Sequence, residues 1–167
     1  MLCGLGFDAQ VAHDFANDPD RGLVTYIKKT IAHFFKARAY PFTITAGTDC
    51  LTTRALFISI ANSNQFGNHF TIAPRASLTD GMLDIVVVGA LTKLNLLLQA
   101  MRQVGGFNAL YTTNIEQAKK SVLYFQTDVL TITNPGGAPI HVDGDPVPVA
   151  AVVDVRILKH CFRLIYP

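Results

Sequence analysis

No uninterrupted apolar run in this chain reaches the roughly 18 to 20 residues that a helix needs to cross a bilayer. A spanning helix is therefore not expected, although half of the 167 residues are apolar and the mean hydropathy is positive. The expectation is a soluble domain with unusually greasy strands. Cysteine is scarce: Cys3, Cys50 and Cys161 lie far apart, with no CxxC pair and no His-rich ligand spacing. Neither a disulfide framework nor a zinc site is indicated, and a reducing cytoplasm fits. The formal charge is only +2, and Lys and Arg are scattered rather than gathered into a stripe with interleaved aromatics, so no nucleic-acid partner is expected. The opening residues, MLCGLGFDAQVAHDF, lack a basic segment ahead of an apolar core and do not read as a secretory signal. Histidines 13, 33, 69, 141 and 160 are dispersed without triad-like partners and no GxSxG occurs, which leaves hydrolase chemistry little support. Repeats, low-complexity tracts and flexible linkers are missing too. One domain over residues 1–167 is expected, long enough to bury a sizeable core.

What the chain does contain is mostly strand signal. Residues 1–7 and the alternating segment 41–46 read as strands, the second followed by a turn at Gly47-Thr48-Asp49. Thr53 to Ala61 is more continuously apolar and reads as a central strand, and Leu83 to Val88 is a β-branched run. Short strands follow at 122–125, 129–132, 140–142, 150–155 and 162–165, separated by turns such as Asn134-Pro-Gly-Gly. Regular short strands with Gly and Pro turns argue for a sandwich. Helical spacing occurs at Leu23, Ile27, Ile31, Phe34 and Phe35, predicting a helix over 21–37, and at Leu94, Leu97, Leu98 and Met101, predicting one over 92–104 that Gly105-Gly106 stops. Residues 9–15 read as a brief helical turn. The fold class is mainly β with a few helices (α+β).

Three acidic turns abut these strands: Gly-Phe-Asp-Ala at 6–9, Asp80-Gly-Met-Leu-Asp84, and Val142-Asp-Gly-Asp145. An acidic Gly turn against a buried strand can hold a hard cation or orient a phosphate. The same Asp-Gly pairs also close tight turns for backbone reasons alone, and Asp8 can serve as a helix cap.

Four blocks, taken in order, carry a resemblance. They are Gly-Leu-Gly-Phe-Asp-Ala at 4–9, Ile72-Ala-Pro-Arg-Ala76, Asp80-Gly-Met-Leu-Asp84 and Val142-Asp-Gly-Asp145. Together they resemble the C-terminal lobe of the diacylglycerol kinase and sphingosine kinase catalytic family, in its bacterial lipid-kinase branch, over nearly the whole chain. The family implies two lobes, the N-terminal one carrying a Gly-Gly-Asp-Gly-Thr nucleotide loop and the C-terminal one a β-sandwich. No Gly-Gly-Asp-Gly-Thr occurs here, so the resemblance implies the second lobe alone, whether excised, truncated or split, and inactive without its nucleotide lobe.

The resemblance also implies roles. Asp145 stands where the family usually has Glu and would be the catalytic proton acceptor, with a side chain one methylene shorter. A base must sit about 2.6 to 3.2 Å from its proton, so the loop has roughly 1 Å to make up. Asp143 and Gly144 would face ATP, with Arg21 near the phosphates. Asp8 would contact the polar head of the lipid. Asp80, with the main-chain carbonyls of Ser77 and Met82, would hold Mg²⁺, a mixed oxygen set that suits that ion.

The implied activity is ATP-dependent transfer of the γ-phosphoryl group to a diacylglycerol-like or sphingoid hydroxyl, in phospholipid biosynthesis. The implied setting is the cytoplasm, peripheral to a membrane surface where the lipid is met, with Phe34-Phe35 and Leu94–Met101 as candidates for an acyl cleft. A homodimer through the sandwich is left open. Two other readings stand beside this one: a non-catalytic lipid-binding or oligomerisation module of the same fold, and a lobe of a nicotinamide-nucleotide kinase.

Overall fold

The computed structural model describes residues 2–16, 37–63, 73, 75–89 and 122–161. Among these residues the chain forms nine strands and one helix. In order they are β1 (Leu2–Gly6), α1 (Phe7–Ala16), β2 (Tyr40–Ala46), β3 (Asp49–Ala61), β4 (Leu83–Gly89), β5 (Val122–Thr127), β6 (Val129–Thr133), β7 (Ile140–Val142), β8 (Asp145–Val147) and β9 (Val152–Arg156). All pairings are antiparallel. The strands run β8-β7-β1-β3-β2-β6-β9, and β4 and β5 branch from β3. The mainly-β expectation holds.

The branching strand does the organising. The first half of β3 pairs with β2, from Asp49↔Ala46 to Ala55↔Tyr40, while its second half pairs with β1 and β4. Between the halves the register to β4 jumps from Ala55↔Gly89 to Phe57↔Val88, which leaves Leu56 as an extra residue. Side chains alternate faces along a strand, so one inserted residue exchanges the faces beyond it. Leu51 and Ala55 therefore join the same core as Ile58 and Ile60, although odd and even positions would otherwise oppose one another. This bulge lets the sheet curl so that Phe42, Ile44, Leu130 and Ile132 meet Leu5, Ile58, Ile85 and Ile140 in one core.

The β4 run is buried along its whole length, as a strand covered on both faces should be. Ile85 and Val87 enter the main core, and Val86 and Val88 enter a second cluster with Leu56, Ala61, Ala73 and Tyr124 on the opposite face. Past β6, the buried Asn134 side chain holds the turn: Nδ2 donates to the carbonyls of Ala138 at 3.0 Å and Ala150 at 3.1 Å, and Oδ1 accepts from Ala138 N–H at 2.8 Å. Ile58 is fully buried where the two halves meet. Ile58→Ala is expected to cost about 2–5 kcal/mol, the range for deleting most of a buried aliphatic side chain, read as a lower urea midpoint at unchanged slope.

Several elements differ from the sequence expectations. β3 starts at Asp49, four residues ahead of the expected Thr53, because Asp49 to Thr52 already pair with Ala46 to Thr43 on β2, with Leu51 turned to the core and Thr52 exposed. The turn at 9–15 is a ten-residue helix. β8, within the acidic turn segment, was not anticipated. The expected helix over 92–104 and strand over 162–165 lie outside the described residues, as does the helix over 21–37 apart from Ala37.

Candidate functional site

β7 and β8 are joined by the two residues Asp143 and Gly144, with φ of 52° and 93°. Two successive positive φ values belong to the type I′ hairpin turn, for which Asp-Gly is a favoured pair. The turn is tied to β1 on both sides: Asp143 N–H donates to the Leu2 carbonyl at 2.7 Å, and Leu2 N–H donates to Asp143 Oδ1 at 2.6 Å. Asp145 opens β8 in register with Val142, with its side chain exposed. The Asp-Gly-Asp segment is thus a true hairpin turn whose second carboxylate faces outward.

The same turn is anchored from below by a residue that the sequence did not mark as functional. His141 is 1% exposed, and its Nδ1 accepts the Gly144 N–H at 3.1 Å. An Nδ1 that accepts leaves the proton of a neutral imidazole on Nε2. Nε2 stands 3.5 Å from Asp8 Oδ2, and Asp8 Oδ1 accepts the Ala9 N–H at 2.8 Å. Burial pushes the Asp8 carboxyl above its ordinary range, an effect that the neighbouring His141 partly offsets. The pair meets over Gly4, which lies directly between His141 on β7 and Ser59 on β3. A Cβ on Gly4 would collide with both Asp8 Oδ2 and His141 Nε2. Glycine here is a requirement of space.

Cys3 lies beside this pair. Its thiol is pushed up to about 11, first by burial and then by the nearby Asp8 and Asp143 carboxylates. Only the thiolate alkylates readily, and at pH 8 three units below that value leaves about one thiol in a thousand ionised. Iodoacetamide at pH 8 is therefore expected to label the exposed Cys50 and Cys161 while Cys3 stays unmodified, as peptide mass spectrometry would read.

The Asp80 turn is a second feature. Asp80 Oδ1 accepts the Met82 N–H at 2.9 Å, and Ser77 Oγ accepts the Thr79 N–H at 3.3 Å. Gln126 Nε2 spans two carboxylates, 3.4 Å from Asp80 Oδ2 and 3.2 Å from Asp84 Oδ1. Tyr124 OH also donates to Asp84 Oδ1, and Arg75 lies over the Tyr124 ring at 5.8 Å. Burial raises the Asp84 pKa, the Gln126 hydrogen bond lowers it and the Asp80 charge raises it. Among the described residues no group of three or more His, Cys, Asp or Glu could hold a metal. A cation here would rely on Asp80 together with main-chain carbonyl oxygens such as those of Ser77 and Met82. The buried Asp84 Oδ2, which has no hydrogen-bond partner, adds a further oxygen nearby. An all-oxygen set of this kind fits Mg²⁺.

Among the described residues, the buried side-chain atoms lacking a hydrogen bond are Asp8 Oδ2, Ser59 Oγ, Asp84 Oδ2 and His141 Nε2. They share one side of the sheet. His141, Gly4, Ser59, Val86 and Tyr124 stand in one cross-strand row, and directly paired residues of antiparallel strands point to the same face. Asp84 is opposite Ala61, of the same face cluster as Val86 and Tyr124. Buried polar atoms are normally satisfied, so this face differs from the core side.

The family model for the YegS C-terminal NAD kinase beta sandwich-like domain matches residues 2–165. The chain belongs to this family. No curated protein sequence matches it. Three solved Bacillus anthracis str. Sterne structures are similar in fold, each named as a diacylglycerol kinase and the first two only provisionally. The first has a TM-score of 0.65 at 15% identity, covering 95% of this chain and 48% of that one. The second has 0.62 at 19%, covering 95% and 50%, and the third 0.60 at 14%, covering 95% and 46%. The chain spans about half the length of the solved structures it matches.

Within this YegS-type domain the candidate residues fall into two groups. Asp8 is linked to the Asp143-Gly144 turn through His141, while Asp145, paired with Val142, lies on the other face of the hairpin from His141. Asp80, Ser77 and Met82 share a separate turn at the same end of the sheet. Asp84 and Val142 are three strand spacings apart, β4-β3-β1-β7, about 14 Å. The three acidic turns therefore make two sites. Arg21 lies outside the described residues.

Proposed function

We propose that this domain is the substrate- and metal-binding lobe of an ATP-dependent lipid kinase, which phosphorylates the hydroxyl of a diacylglycerol-like or sphingoid lipid. The observation that carries the reading is the link from Asp8 through His141 to the Asp143-Gly144 turn that leads into Asp145, in a domain whose fold is similar to that of diacylglycerol kinases.

In this reading the exposed Asp145 carboxylate accepts the proton of the lipid hydroxyl. That oxygen bonds to the γ-phosphorus, the bridging β,γ P–O bond breaks, and ADP leaves. Little covalent work falls to the protein in such a transfer, so placement of groups matters most. Asp8 orients the polar head by accepting hydrogen bonds from it, and Asp143 and Gly144, with Arg21, face the nucleotide held by the second lobe. Asp80 with the Ser77 and Met82 carbonyls would hold Mg²⁺, which supplies positive charge for ordering the acidic loops. The work takes place in the cytoplasm at a membrane surface, with the acyl chains left in the bilayer.

The test is phosphoryl transfer from radiolabelled ATP by the polypeptide expressed from its complete reading frame, offered diacylglycerol, sphingosine and NAD in parallel. Label in phosphatidic acid or sphingosine phosphate is expected. Label in NADP would favour the nicotinamide-nucleotide kinase reading, which the family's NAD kinase-like description keeps in the assay. Lipid binding without turnover would favour the non-catalytic module.

A further inference from the structure

We propose that His141 is a positioning residue: its Nδ1 fixes the Asp143-Gly144 turn, and Asp8 fixes His141 through Nε2. The inference rests on the lipid-kinase reading for its consequence, since the turn leads directly into Asp145, but its geometry is independent of that reading.

Two features give the relay its direction. The Gly144 N–H reaches Nδ1 at 3.1 Å, so this nitrogen must be unprotonated, and the one remaining imidazole proton sits on Nε2, facing Asp8 Oδ2 at 3.5 Å. A carboxylate opposite one ring nitrogen sets which nitrogen can accept at the other. The second feature is the missing side chain of Gly4, whose Cβ would occupy the space where the two groups meet. His141 is buried, so its ring cannot turn outward to bond water instead. The helix is held to the same strand by His13, whose Nε2 lies 3.3 Å from the Ile140 carbonyl. Helix, strand and turn are thus tied together through two histidines, and the β8 carboxylate follows a turn held by a side chain that touches no substrate.

Two substitutions separate this role from packing. Asn places an oxygen near the position of Nδ1 and can still accept from Gly144, while losing the contact to Asp8. Gln places its amide near Nε2, keeping a donor toward Asp8 and losing the acceptor. In the 167-residue chain, ¹⁵N NMR is expected to find the wild-type imidazole protonated on Nε2 alone. Gly144 amide exchange is expected to accelerate about tenfold in His141→Gln and to stay within about threefold of wild type in His141→Asn, as for loss or retention of one hydrogen bond. In the complete polypeptide kcat should fall about tenfold in His141→Gln at unchanged KM for the lipid, and largely persist in His141→Asn.

A wild-type ring protonated on Nδ1 overturns the proposal, and this readout stands even if a variant fails to fold. Equal exchange in the two folded variants also overturns it, as does equal loss of kcat tracking their stabilities. If the wild-type polypeptide phosphorylates no lipid, the lipid-kinase reading fails, and the exchange comparison alone decides whether His141 holds the turn.

Discussion

Asp145→Asn, in the complete polypeptide, is expected to lower lipid phosphorylation by at least about a hundredfold, the scale on which a general base contributes. The side chain is exposed at the first residue of β8, so replacing its charge by an isosteric amide should move the thermal midpoint by no more than about 2 °C. The loss should appear in kcat, since an amide of the same shape can still sit beside the lipid hydroxyl but cannot take its proton. Steady-state assays with diacylglycerol, alongside thermal unfolding monitored by circular dichroism, would separate the two effects. Turnover near the wild-type rate would remove Asp145 from the mechanism. The position is also one methylene short of the Glu that the lipid-kinase family usually carries there, so Asp145→Glu should retain activity where Asp145→Asn does not.

Gly4→Ala is the second large effect. The added methyl would fall on Asp8 Oδ2 and His141 Nε2 together, both enclosed, so neither can swing into solvent. Overpacking alone typically costs about 1–3 kcal/mol, and parting a buried, partly charged pair adds to it; a total of about 3 kcal/mol is expected, measured by urea unfolding of the chain. Gly144→Ala offers the contrast. There a Cβ meets nothing within 4 Å, and only the φ of 93° resists it, a backbone strain of about 1–2 kcal/mol. The same chemical change should therefore cost clearly more at Gly4 than at Gly144, and the reverse order would discard the account of Gly4 as the space for the Asp8–His141 pair.

Much of the fold was written in local patterns. The β-branched run at Leu83 to Val88, interrupted only by Asp84, became a strand buried on both faces, and the Asp143-Gly144 pair became the hairpin that its backbone preferences favour. The four sequence blocks pointed to the family to which the chain belongs. What stayed hidden depends on distant contacts. Nothing around Leu56 marks a bulge, because the extra residue is defined only by what β4 does opposite it. His141 looked isolated because its carboxylate partner lies on a helix near the other end of the sequence, and only the pairing of β1 with β7 brings the two together. The spacing between the Asp80 turn and the other two acidic turns was hidden as well, since strand order along a sheet is not visible in the order of its strands in sequence.

The place of β1 between β3 and β7 also constrains how the domain is made. β1 pairs with residues up to Ala61 on one side and with Ile140 to Val142 on the other. A ribosome adding about 5–20 residues per second delivers the second partner on the order of ten seconds after β1 itself. Through that interval one edge of β1 has no native strand to meet, and the Asp8 carboxylate has no imidazole. That edge stays open until the last third of the domain closes over it.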